Sequence, residues 1–146
     1  MRFLFLFFCC VFCGALTACA STPRTPINNI KIIAQLGANQ NVATAIDIVF
    51  VYDTTSTSML PKSGPDWFSN KAALMSGLAT NIDVVSLQIP PATTLTVPLP
   101  DRYSHAVAVY SSANYITAGG QPVGNLTPYE TMMIQLTPDN VIYRGS

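Results

Sequence analysis

Apolar positions along this chain recur mostly at every second residue, in short runs divided by turn-forming residues, which is the pattern of half-buried β-strands. Residues 29–36 alternate with Ile30, Ile32 and either Ala34 or Leu36 on one face. A polar stretch, Gly37-Ala38-Asn39-Gln40-Asn41, leads into residues 45–53, where Ile46, Ile48, Phe50 and Tyr52 share one face and Asp47, Val49, Val51 and Asp53 the other. Further strands are predicted over residues 82–89, 93–99, 105–110, a short piece at 122–126, 130–136 and 141–143. Turn signals at Pro90-Pro91, Pro100-Asp101, Gly119-Gly120, Thr127-Pro128 and Pro138-Asp139 divide them.

The period changes once. Residues 54–64 read as a polar loop, and Pro65-Asp66 then introduce a helical segment in which Asp66 could cap the start and Gly77 weaken or end it. Its apolar stripe of Trp67, Phe68, Ala72, Leu74, Met75 and Leu78 suits covering the end or edge of a sheet. One helix among about eight strands, without repeated strand-helix units, argues against a doubly wound parallel sheet. The predicted fold is all-β: a two-sheet β-sandwich with one short helical insertion.

The first residues follow a different logic. Met1-Arg2 supplies one positive charge, and residues 3–16 are uncharged and too short to cross a bilayer comfortably as a helix, so they read as the apolar core of a leader. Leu16-Thr17-Ala18-Cys19 resembles the lipobox of bacterial lipoproteins. That resemblance implies cleavage before Cys19, diacylglycerol on its thiol and acylation of the new amino terminus, enough buried CH₂ groups for lasting anchorage. Ala20, where Asp would favour inner-membrane retention, implies the outer membrane. Ordinary cleavage after Ala20, releasing an unanchored domain, also satisfies the small-x-small rule. The reading divides the chain into a lipoprotein leader (residues 1–18), a lipidated tether (19–26) and one domain (27–146). Cys9, Cys10 and Cys13 leave with the leader, so Cys19 alone remains and an intramolecular disulfide or Cys-based metal site is excluded.

Composition narrows the function. Of 146 residues 49% are hydrophobic and only 10% charged, with seven basic side chains balancing seven acidic ones. Such a chain is globular and holds one domain, but offers no basic stripe for nucleic acid or for electrostatic adhesion to a membrane. The single His105 falls in HAVAVY, on the face of Val107 and Val109, which reads as a packed or rim histidine. Asp101 lies four residues before it, but Pro100 disfavours a shared helical face. No nucleophile elbow, paired carboxylates, EF-hand loop, zinc set or Gly-rich phosphate loop is present, so no enzyme, metal or cofactor is expected.

Cys19 in its lipobox, the Asn/Gln-rich loop running into AIDIVFVYD, Asp66-Trp67-Phe68 at the helix start, and VSLQIPPATTLTVPL (residues 85–99) together resemble the TssJ family, the outer-membrane lipoproteins of type VI secretion systems. Two positions depart from the family pattern: Val49 stands where Arg is common, and Pro91 where Gly follows Pro. The resemblance implies a transthyretin-like sandwich, with paired amino-terminal strands and a second pair around the proline turn. It implies a structural role: a lipoprotein whose domain faces the periplasm and anchors a trans-envelope complex by binding the periplasmic part of a large inner-membrane component. It also implies that the loop Gly37, Ala38, Asn39, Gln40, Asn41, Val42, Ala43 and Thr44 contacts that partner. Asn39, Gln40 and Asn41 would supply donors and acceptors and Val42 an apolar contact; a plain solvated loop has the same composition. Two other functions stay open. One is a lipoprotein binding module or pilotin with a pocket around Tyr103, Tyr115 or Tyr129. The other is a small hydrolase, which needs His105 within hydrogen-bond reach of a serine and an aspartate.

Overall fold

A computed structural model describes residues 21–117 and 121–146; Cys19, the leader and the Gly119-Gly120 turn lie outside the described residues. The strands are β1 (Asn29–Ala34), β2 (Thr44–Val51), β3 (Ile82–Ile89), β4 (Thr94–Thr96), β5 (Ala108–Asn114), β6 (Gly124–Asn125), β7 (Thr131–Leu136) and β8 (Val141–Gly145). They form two four-stranded sheets, ordered β4-β1-β7-β8 and β3-β2-β5-β6. All neighbours are antiparallel except β1 and β7, which run parallel with Ile30 beside Met132, Ile32 beside Ile134 and Ala34 beside Leu136. The sandwich is therefore the architecture the alternation predicts.

Between the sheets lies one apolar layer. Ile30, Ile32, Met132, Ile134 and Leu136 of the first sheet meet Ile46, Ile48, Phe50, Ile89 and Val109 of the second. Each large aliphatic buried there contributes about 1.5–3 kcal/mol. β2 is buried on both faces: Val49 and Val51, on its outer side, pack with Trp67, Leu78, Ile82 and Ala108. That outer cover is α2 (Gly64–Gly77), which follows the shorter α1 (Thr54–Met59).

Several local features differ from the sequence reading. The strands β1 and β2 lie in opposite sheets, as do β3 and β4, so the Pro90-Pro91 segment crosses between sheets and closes no hairpin. At its end Ala92 takes φ 57°, a left-handed conformation that glycine adopts at no steric cost. Asp53 ends no strand; it caps α1, accepting from the Ser56 backbone N–H at 2.9 Å and from the Ser56 hydroxyl at 2.6 Å. Residues 54–59 escape the sequence reading because a Ser/Thr run has neither apolar period nor helix propensity. The cap of α2 is Ser63: its Oγ accepts from the Asp66 N–H at 3.2 Å and donates to the Asp66 carboxylate at 2.6 Å.

The helix also covers a sheet face and not an edge, along a narrower stripe than predicted. Trp67 and Leu78 are buried and Phe68 and Leu74 packed beneath, whereas Ala72 and Met75 are exposed. The seat is polar at its centre. Asp47, 2% exposed on the outer face of β2, accepts from Trp67 Nε1 at 2.7 Å and pairs with Lys71 Nζ at 2.8 Å. Lys71 also donates to Ser86 Oγ of β3 at 2.8 Å. A second clasp closes the far end of this sheet. Arg102 grips Asp83 through Nε and Nη2 at 2.9 and 3.0 Å, lies 3.9 Å over the Tyr52 ring, and donates to Thr80 O. Tyr52 donates to the same carboxylate at 2.6 Å; burial first, then that carboxylate, pushes its phenol far above the ordinary range.

Two consequences are measurable. Asp47→Ala strands the Trp67 N–H and one end of an ion pair, and urea unfolding is expected to find the domain about 3 kcal/mol less stable; Asp47→Asn, which keeps an acceptor for Trp67, loses less. The Arg102 guanidinium holds the Asp83 carboxyl below its ordinary 3.8. Its stabilisation is thus complete above that pH and lost as the pH falls through the folded value. Acid unfolding of Arg102→Ala followed by circular dichroism should lack that part of the wild-type slope below pH 3.8.

Candidate partner-binding surface

The loop between β1 and β2 is held in a left-handed turn. Gly37 takes φ 77°, and Asn39, Gln40 and Asn41 follow at φ 49°, 53° and 69°. Gly and Asn are the residues that reach this region most easily, which is how GANQN comes to fold this way; Gln40 carries the larger cost, about 1–2 kcal/mol. The Asn39 side chain over-determines the turn. Its Oδ1 accepts from the Ile116 N–H at 2.8 Å and its Nδ2 donates to Asn114 O at 3.4 Å. Its backbone N–H donates to Thr137 O at 3.0 Å, and that of Gln40 to Pro138 O at 3.2 Å. The loop is thus fastened both to the end of β5 and to the β7–β8 connection.

Only part of the sequence-predicted loop faces outward. Gln40, Asn41, Val42 and Ala43 are exposed and Gly37 is half-buried, but Ala38, Asn39 and Thr44 are buried. Asn39 offers a partner nothing, because its amide is spent inside the domain. Thr44 begins β2, and its hydroxyl has no hydrogen-bond partner.

Two apolar side chains beside the loop were not among the predicted site residues. Leu36 is 84% exposed and Ile116 54% exposed. The alternation had allowed Leu36 an inward place, but β1 ends at Ala34 and the chain turns before Leu36 could pair; Ile116 follows β5 and has no pattern signal at all. Ile116 and Val42 border a shallow recess of about 350 Å³ whose lining includes Asn39, Gln88 and Tyr115. Tyr115 donates to Thr137 O at 3.0 Å, and burial pushes its phenol up to about 12. The exposed set carries no charged side chain. It suits a shape-dependent contact of apolar knobs among amides, not electrostatic capture.

The other candidate residues are dispersed. His105 is exposed and closes a 3₁₀ turn, Tyr103–His105, ahead of β5, so it shares no strand face with Val107 and Val109. Among the described residues its imidazole hydrogen-bonds to neither a serine nor an aspartate, which leaves hydrolase chemistry unsupported. Tyr103 packs against the core, Tyr129 lies over Gly145, and Tyr115 lines the recess, so the three build no common pocket. Among the described residues there is no group of three or more His, Cys, Asp or Glu that could hold a metal, and no helix long and apolar enough to cross a membrane.

No protein-family model and no curated protein matches the chain. Solved structures do. The chain is similar to the type VI secretion lipoprotein TssJ1 from Pseudomonas aeruginosa (TM-score 0.58, 12% identity, covering 85% of this chain and 98% of that one). It is equally similar to Lip from Serratia marcescens, a membrane-bound component of the type VI secretion system (TM-score 0.58, 11% identity, 85% and 99%). A third likeness is to a chain in the structure of the type VI protein TssM C-terminal domain (869–1107) from EAEC (TM-score 0.57, 12% identity, 81% and 97%). That chain, nearly all covered by 81% of 146 residues, is much shorter than the 869–1107 span. The fold of this protein is therefore that of type VI secretion lipoproteins of the TssJ kind, and these structures are named as secretion components, not as enzymes.

Asn39→Ala removes both side-chain bonds and leaves the Ile116 N–H without its acceptor. Denaturant unfolding is expected to register a loss of about 1–3 kcal/mol.

Proposed function

We propose that this protein is a structural lipoprotein of a type VI secretion membrane complex. Acylated Cys19 holds it to the inner leaflet of the outer membrane, residues 19–24 act as the tether, and the domain faces the periplasm. The tether is shorter than the sequence suggests, because Thr25 is buried and donates from its N–H to Ala106 O at 2.9 Å and from its hydroxyl to Thr127 O at 2.7 Å. There it binds the periplasmic part of a large inner-membrane component through Leu36, Gln40, Asn41, Val42, Ala43 and Ile116. What supports this is the coincidence, in one chain, of a lipobox cysteine with a sandwich that matches TssJ1 and Lip over 98% and 99% of their lengths. The role requires no catalysis. A fixed, uncharged loop fits it: a contact that must bear load gains from a surface already ordered before the partner arrives.

The reading is tested by tagging the full chain in its native bacterium, solubilising in detergent, and applying mass spectrometry to the Cys19 peptide and to co-purifying proteins. The expected result is a triacylated Cys19 together with a large inner-membrane protein. Replacing residues 40–43 with Gly/Ser should lose that protein while leaving the melting curve near wild type. A chain starting at Ser21 without acyl groups removes the anchor, and an acylated chain with no inner-membrane companion removes the docking role.

A further inference from the structure

Three of the four sheet edges carry protections against stray pairing. β4 has three residues and runs into Pro98 and Pro100, β6 has two, and β8 carries Arg144 and ends at Gly145 beneath the Tyr129 ring. β3 differs: it has eight residues, no proline, and no strand on its far side.

The register identifies its free groups. Tyr52 N–H donates to Asn81 O at 2.9 Å, and Val51 O, on the opposite side of β2, accepts from Val107. The hydrogen-bonded pairs of the β2–β3 ladder therefore fall on Asp83, Val85, Leu87 and Ile89 of β3, opposite Phe50, Ile48, Ile46 and Thr44. Val84, Ser86 and Gln88 direct their N–H and C=O groups away from β2. This edge joins the loop surface. The recess beside the loop and a second one of about 240 Å³, above Phe68, Lys71 and Ser86, share Ala45 and Gln88 in their walls.

We propose that the β3 edge receives an added strand, an extended segment of the same periplasmic partner whose flanking surface meets Leu36, Val42 and Ile116. A row of unpaired backbone donors and acceptors spaced every second residue is complemented by an extended polypeptide, and the continuity of the two recesses lets one partner reach both. Side chains of the added strand on the outer face settle over Phe68 and Lys71. The proposal rests on the docking role given above.

The test uses the full acylated chain in detergent and the purified periplasmic part of the inner-membrane component. Gln88→Pro deletes one edge N–H and no bond within the domain, a change edge strands tolerate; Gln88→Thr removes the same side chain and keeps the N–H. Expected are binding weakened about tenfold by Gln88→Pro and unchanged within about twofold by Gln88→Thr, one hydrogen bond's worth of difference. Hydrogen exchange of the wild type should slow at Val84, Ser86 and Gln88 in the complex, a readout that does not depend on either variant folding. Protection confined to residues 36–43, or equal binding by Gln88→Pro, overturns the strand addition and leaves the docking role standing. No binding by the wild type overturns both. A dimer of the isolated chain that Gln88→Pro abolishes, with no partner-induced protection of the edge, assigns β3 to a second copy and overturns the proposal.

Discussion

β2 has no face left for solvent, and the rest of the molecule is arranged around that constraint. Ile46, Ile48 and Phe50 need the first sheet above them, while Asp47, Val49 and Val51 need a cover below. A sandwich ordinarily leaves its outer faces wet; here α2 is spent on closing one of them. The carboxylate of Asp47 makes this closure specific. An apolar seat alone would let the helix slide, whereas a buried acid with two donors from one helical face, Trp67 and Lys71, accepts a single placement. Because Lys71 reaches on to Ser86, the same contact fixes the helix relative to β3.

The candidate surface inherits its rigidity from this frame. The turn 38–41 is strained on its own, and it persists because Asn39 and its neighbours bond to segments after β5 and after β7 that the two sheets hold in place. Gly124 belongs to the same scheme: a side chain there would collide with the Tyr143 ring, which spans from the first sheet to Ser111 of the second. A rigid end, apolar knobs and few charges fit the docking role proposed above.

Much of this was legible in the chain. The two-residue period located most of the strands and sorted the faces of residues 46–52 correctly, because burial on both sides still leaves alternation between two different environments. The sandwich followed from that pattern, and the TssJ-like fold from the resemblance of particular segments to that family. What stayed hidden was non-local. Nothing in residues 29–53 says that β1 and β2 part to opposite sheets, since pairing is decided by strands that arrive much later, β7 lying 102 positions beyond its partners in β1. α1 has no apolar stripe to announce it. The composition of GANQN is that of any solvated loop, so the inward turn of Asn39 and the outward display of Leu36 and Ile116 appear only once three distant segments meet. His105 was misplaced for a similar reason: a 3₁₀ turn before β5 disturbs no apolar period.

The parallel pairing of β1 with β7 also bears on how the chain reaches its compartment. Asn28 and Glu130, just ahead of the two strands, are bonded across 102 positions of sequence. The central strand of the first sheet therefore lacks its main neighbour until almost the whole polypeptide has been made. High contact order of this kind delays folding. If Cys19 is acylated as proposed above, the chain crosses the inner membrane unfolded through a narrow channel, and the delay is then protective: while the carboxy-terminal strands are still on the ribosome, the earlier ones have no completed sheet in which to become trapped on the wrong side of the membrane.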